Sequence, residues 1–189
     1  MFSKNELIIY NNEGVCRVDD ICPLKEMTNS DRLYYKLSPI YGKGSIFIPV
    51  DTKVFMRPVI TKTEALNLIS KIPEIESKEL NNCNQKQLTE QYQSSLFSHD
   101  CEDLVRLIKT VYFKSKKQAE KGKKPSQTDQ RYMKRAEELL NGELAVALDI
   151  KYEDVPEYIE NELASNISLT EELQCCWRKK GLKPSFNPF

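Results

Sequence analysis

The residues with the most chemistry to offer are few. One histidine, His99, stands in the run SHDC between two helix-forming stretches, and no Ser-His-Asp order, P-loop or GxGxxG accompanies it. Capping or plain exposure suits it better than acid–base work. The six cysteines, Cys16, Cys22, Cys83, Cys101, Cys175 and Cys176, contain no CxxC pair, and only His99 could join them. Zinc takes four ligands at recognisable spacing, so no metal or other cofactor is expected. Adjacent carboxylates, Asp19 with Asp20 and Glu137 with Glu138, diverge on a strand or fall about 100° apart on a helix. Nothing here proposes an enzyme.

Charge carries more information. Lys and Arg total 28 and Asp and Glu total 28, so the formal net charge is zero. The distribution is uneven: 106–135 holds eleven basic residues against Glu120 and Asp129, a net of +9. Residues 141–172 hold nine acids against Lys151, a net of −8. A basic stretch of this density can neutralise several phosphates and bind DNA in a salt-sensitive, sequence-independent way. A solvated helix end and loop would have the same composition. The basic residues best placed for phosphates are Arg106, Lys109, Lys116 and Lys117 on one helix and Arg131, Lys134 and Arg135 on the next.

The elements that must position these residues fall into two groups. LIIY (7–10), GVCRVDDI (14–21), RLYYKL (32–37) and SIFIPV (45–50) are rich in β-branched and aromatic residues and are separated by turn material. Four or five short strands in about fifty residues predict a small, strongly curved barrel with an edge open to strand addition, since a sandwich needs about seven. Helical spacing begins at Thr61, with Glu64 in the capping-box position and Pro73 as the stop. A polar linker spans 74–85. Leu88, Tyr92 and Leu96 then form a stripe, and 102–113 follows behind an Asp100 or Ser98 cap. The segment 114–124 reads as a basic extension and loop. In 126–148, Ser126 and Asp129 predict a capping-box-like start, and Met133, Ala136, Leu140, Leu144 and Ala147 share one face. An acidic helix over 152–163 closes the set. The fold class expected is α+β: a barrel over 1–60, a connecting helix and linker over 61–85, an all-α bundle over 86–163 and a polar tail over 164–189.

Three pieces resemble the CarD/CdnL family of bacterial transcription regulators: IIYNNEGVCRV, IPVDTKVFMRPVIT and AEELLNGELAVAL. Tyr10, Gly14 and Val15 fit the first motif, while Asn11, Glu13 and Cys16 depart from it. Pro49, Val50 and Asp51 and the run Arg57-Pro58-Val59-Ile60 fit the second. The resemblance spans roughly 6–163. It implies a Tudor-like barrel that docks on the β subunit of RNA polymerase, and a helical domain that lies along promoter DNA, touching backbone and minor groove without sequence specificity.

By the same resemblance, Leu24, Lys25 and Phe47 lie where the family meets polymerase. Phe47 reads equally well as a core aromatic of an alternating strand. Aligning on Tyr92 places Leu88 where several family members carry a tryptophan that wedges into the minor groove. Leu88 also begins an apolar stripe, which makes it a core candidate. Glu90 and Gln93 stand where the family is often basic, and Trp177 lies in the tail.

The reading these residues support is a cytoplasmic, monomeric, non-catalytic regulator of bacterial transcription. It would tether polymerase through the barrel, touch promoter DNA through the helices and so stabilise the open complex. Its rival is a polymerase-bound adaptor whose helices contact protein rather than DNA. No signal sequence is expected at 1–10, and no apolar run reaches the ~20 residues of a membrane span.

Overall fold

The computed structural model describes residues 1–23, 32–78 and 84–166. β1 (Leu7–Tyr10) and β2 (Gly14–Pro23) are antiparallel and joined by a 3-10 turn at Asn11–Glu13. The turn closes through Gly14, whose φ of 86° is open to glycine at little steric cost. β3 (Leu33–Pro39) pairs with β2, and β4 (Ile46–Pro49) pairs with β3. β5 (Met56–Pro58) returns to β1, giving the order β4-β3-β2-β1-β5.

Period-two alternation builds the sheet's core. Cys16 and Val18 on β2, Tyr35 and Leu37 on β3, Ile8 on β1 and Ile48 on β4 pack into one cluster. A bulge between Val18 and Asp20 shifts the β2–β3 register. At that bulge Asp19 accepts hydrogen bonds from Ser38 (2.5 Å) and Arg17 (2.8 Å). Among the described residues no pairing joins β4 to β5. β4 and β5 are therefore the sheet's two edges among these residues.

The helices follow their sequence signals closely at first. α1 (Lys62–Lys71) starts with the expected capping box, Thr61 Oγ1 accepting from Glu64 N (3.2 Å) and Glu64 accepting from Thr61 N (2.7 Å). α2 (Gln85–Phe97) begins with a second box, Asn84 with Gln87, which the sequence reading passed over. α3 (Cys101–Glu120) is capped by Asp100 rather than Ser98, the carboxylate accepting from Glu102 N at 2.7 Å.

Two local expectations differ from the structure. The basic extension and loop expected over 114–124 is helix as far as Glu120, with Lys116 and Lys117 on α3, and only the remainder is loop. KSKKQAE is made largely of strong helix formers, and nothing breaks the chain before Gly122 at φ 69°. α4 (Gln127–Leu148) starts without a side-chain cap from Ser126. Asp129 faces inward instead, wholly buried, where it accepts from Lys114 Nζ (2.9 Å) and Tyr92 OH (3.1 Å). A buried carboxylate is stable only with such partners, so the tertiary pair displaces the local cap.

α5 (Val155–Asn166) follows a 3-10 turn at Tyr152–Asp154. The helical core joins Ala65, Leu68 and Ile69 of α1 to Leu88 and Tyr92 of α2, Leu104, Ile108 and Val111 of α3, Ala136, Leu140 and Leu144 of α4, and Ile159 of α5. Each large apolar side chain so buried contributes about 1.5–3 kcal/mol. Met133 and Ala147 sit at the margin of the α4 stripe, half-buried.

Candidate partner and nucleic-acid surfaces

Sheet and helices meet through one network of buried polar groups. Arg57 of β5 grips Glu143 of α4 with two nitrogens; Nη2 lies 2.7 Å from Oε2, and Nη1 contacts Oε1. Glu143 is 2% exposed. Its carboxylate also accepts from Ile60 N (3.1 Å) and from the Cys101 thiol (3.2 Å). Arg57 further donates to the His99 carbonyl from Nε (3.1 Å) and Nη2 (3.0 Å), and to the Pro58 carbonyl (3.0 Å). Burial works to lower the Arg57 pKa, but the hydrogen bond and charge of Glu143 outweigh it and raise the value. Burial, then the neighbouring Glu143 charge, pushes the Cys101 thiol far up, so it stays protonated and inert.

Contacts on both sides of this network close the junction. His99, at φ 55°, stacks its ring on Phe55 at 4.1 Å between centroids. Burial and the Arg57 charge lower its pKa, which keeps it neutral at physiological pH. Gly142 lets α4 approach the Tyr41 ring, where an added Cβ would lie 3.2 Å from ring carbons. Tyr41 in turn packs on Tyr152 at 4.9 Å. Arg135 donates to the Asn12 carbonyl in the β1–β2 turn and pairs with Glu138 at 2.9 Å.

The basic stretch divides into two groups when its partners are known. Arg106 pairs with Asp103, and Lys109 donates to the carbonyls of Ile72 (2.9 Å), Pro73 (3.3 Å) and Ile75 just beyond α1. Lys114 is paired with Asp129, and Arg135 is held at the sheet junction. The remaining seven, Lys116, Lys117, Lys121, Lys123, Lys124, Arg131 and Lys134, are exposed and make no ion pair among the described residues. They gather where α3 ends, the chain turns and α4 begins. The Arg131 guanidinium rests 5.3 Å from the Tyr132 ring centroid. This hairpin end is a cationic tip.

The apolar candidates also separate. Leu88 is 5% exposed within the helical core, so its side chain packs against other helices rather than presenting a wedge. Phe47 is 43% exposed on the β4 edge strand, on the face opposite buried Ile48. Leu24 and Lys25 lie outside the described residues. Glu90, one of the departures from the family pattern, is exposed on α2.

Among the described residues no group of three or more His, Cys, Asp or Glu side chains could hold a metal ion. A recess lined by Lys78, Tyr92, Arg106 and Thr110 has about 10 Å³ of room, enough for one water. No helix among the described residues is long and apolar enough to cross a membrane.

An antiparallel sheet with Phe47 exposed on its edge strand is thus bonded to a helical unit that ends in a cationic tip. Residues 2–60, which contain all five strands, match the CarD-like/TRCF RID domain family. The match supports an RNA polymerase-interacting, transcription-related protein. No curated protein matches the chain. Of the three sequence pieces that carried the resemblance, the first two lie within the matched segment, Thr61 apart, and the third lies on α4. The second and third meet as Arg57 and Glu143, a contact across 86 positions that no spacing rule reaches.

Proposed function

We propose that this protein regulates transcription by docking its sheet on the β subunit of RNA polymerase and laying its cationic tip on promoter DNA, which stabilises the open complex. The family match of residues 2–60 carries the polymerase contact. The exposed edge of β4, with Phe47 beside the unpaired backbone, is the surface best suited to it. The seven exposed cations support the DNA contact, through phosphates rather than base edges. Leu88 is left out of this surface because it is core. Arg106, Lys109 and Arg135 hold the helices and the junction in place, while Lys116, Lys117, Arg131 and Lys134 face the phosphates.

The test is the lifetime of open complexes on a fluorescent promoter, measured with polymerase alone and with the protein added. The parent protein lengthens the lifetime. A variant with Lys116, Lys117, Arg131 and Lys134 changed to alanine still binds polymerase but loses that gain, and Phe47→Asp loses polymerase binding itself. If the quadruple variant keeps the full gain, the helices act on protein, and the adaptor reading replaces this one.

A further inference from the structure

The junction network is more elaborate than joining two folded units requires. Arg57 makes a two-nitrogen grip on Glu143 and also holds the His99 carbonyl at the α2–α3 turn. Glu143 takes the Ile60 amide at the point where the sheet's last strand leads into α1. The pair therefore fastens three chain segments at once: the exit of β5, the α2–α3 turn and the C-terminal part of α4. A flexible tether between two binding modules would need none of this, since any polar linker provides effective concentration. A bidentate guanidinium–carboxylate pair fixes an angle as well as a distance.

α4 extends from this network to the tip. From Glu143 to Arg131 is twelve residues, about 18 Å at 1.5 Å per residue. A small rotation at the junction is thereby amplified at the cations. The second anchor, Arg135 on the Asn12 carbonyl, lies on the same helix between the network and the tip.

We infer that Arg57 and Glu143 are positioning residues that set the orientation of the cationic tip relative to the polymerase-docking sheet, so that the tip meets DNA at one fixed place. This rests on the function proposed above and adds a requirement for rigidity to it. Neither residue touches DNA or polymerase in this scheme; both act through the helix they hold.

The experiment uses the full chain with nitroxide labels at Lys43→Cys, in the β3–β4 turn, and Lys123→Cys, in the tip. Cys22, Cys83, Cys175 and Cys176 are changed to serine, and buried Cys16 and Cys101 are kept. Electron–electron double resonance reads the distance distribution between the labels. It is expected to be single and narrow in the parent and broadened in Arg57→Ala and Glu143→Gln. Polymerase affinity and DNA affinity, each measured separately, stay within about twofold, while open-complex lifetime falls at least about fivefold. Arg57→Lys, which keeps the charge but not the fork, serves where Arg57→Ala does not fold, and circular dichroism confirms folding of each variant.

A pair that only stabilises the fold would lower the melting temperature and leave the distance distribution narrow, and that result overturns the inference. A broadened distribution with full lifetime overturns it equally. If the parent itself fails to lengthen open-complex lifetime, the proposed function falls, and the distance measurement still decides whether the pair sets the orientation.

Discussion

The cations that the tip leaves unpaired predict a measurable salt dependence. Each phosphate neutralised on duplex DNA contributes about 0.9 to the slope of log affinity against log salt. Seven exposed cations set an upper bound of about 6 on the magnitude of that slope. Their arrangement narrows the range. Arg131 and Lys134 are three residues apart on one side of α4, whereas Lys116 and Lys117 point about 100° apart on α3. A duplex lying across the tip meets roughly four of the seven, so the expected slope is about −3.6. A fourfold rise in salt then weakens binding about 150-fold. Changing Lys116, Lys117, Arg131 and Lys134 to alanine should make the slope shallower by about 2 to 3.6. Lys109→Met is the informative control. Its Nζ already donates to the carbonyls of Ile72, Pro73 and Ile75, so the slope should stay within about 0.5 of the parent value. Fluorescence anisotropy of a labelled promoter duplex, titrated at several salt concentrations, reads all three slopes. A quadruple variant with the parent slope, or a Lys109→Met slope that falls as far as the quadruple variant's, would refute the division of the basic residues into free and occupied.

Two further predictions concern the groups that hold the helices together. Asp129→Ala leaves Lys114 and the buried Tyr92 hydroxyl without their carboxylate. Because the Lys114 side chain is 26% exposed and can extend toward water, the loss is expected at about 2–4 kcal/mol, below the full cost of breaking a wholly buried pair. Urea unfolding should show it as a lower midpoint at unchanged slope, and a double change of Lys114→Met with Asp129→Leu should recover at least about 1 kcal/mol. Glu137 predicts a pH effect: burial first, then the neighbouring Glu138 charge, raises its pKa from 4.5 to about 7. The folded state thus holds a proton that the unfolded state has released. Its contribution is complete below about pH 4.5 and is lost as pH rises to about 7, by about 1–3 kcal/mol. Tyr152, raised to about 12 mainly by burial, stays neutral throughout that window and does not blur it. Glu137→Gln should flatten the stability profile between those pH values, and an unchanged slope there would assign the effect elsewhere.

What the sequence determined by itself was everything set by near neighbours. Runs of β-branched residues between turns placed four strands, and the Thr61–Glu64 box fixed the start of α1 because both its hydrogen bonds lie within four residues. Periodicity on 126–148 identified Ala136, Leu140 and Leu144 as core. It could not settle Phe47, because IFIP is apolar at successive positions and alternation has no contrast to show; the sheet's other face turned out to hold Ile48. Tertiary structure decided the fate of the charges. Asp129 and Lys114, Lys109 and the carbonyls beyond α1, Arg135 and Asn12, and Arg57 and Glu143 are pairs 15 to 123 positions apart. A side chain's type states what it can bond to, and its spacing states which face it occupies. Which partner waits on the facing element depends on how the layers pack, and that packing turned a stretch of eleven cations into four structural bonds and seven free charges.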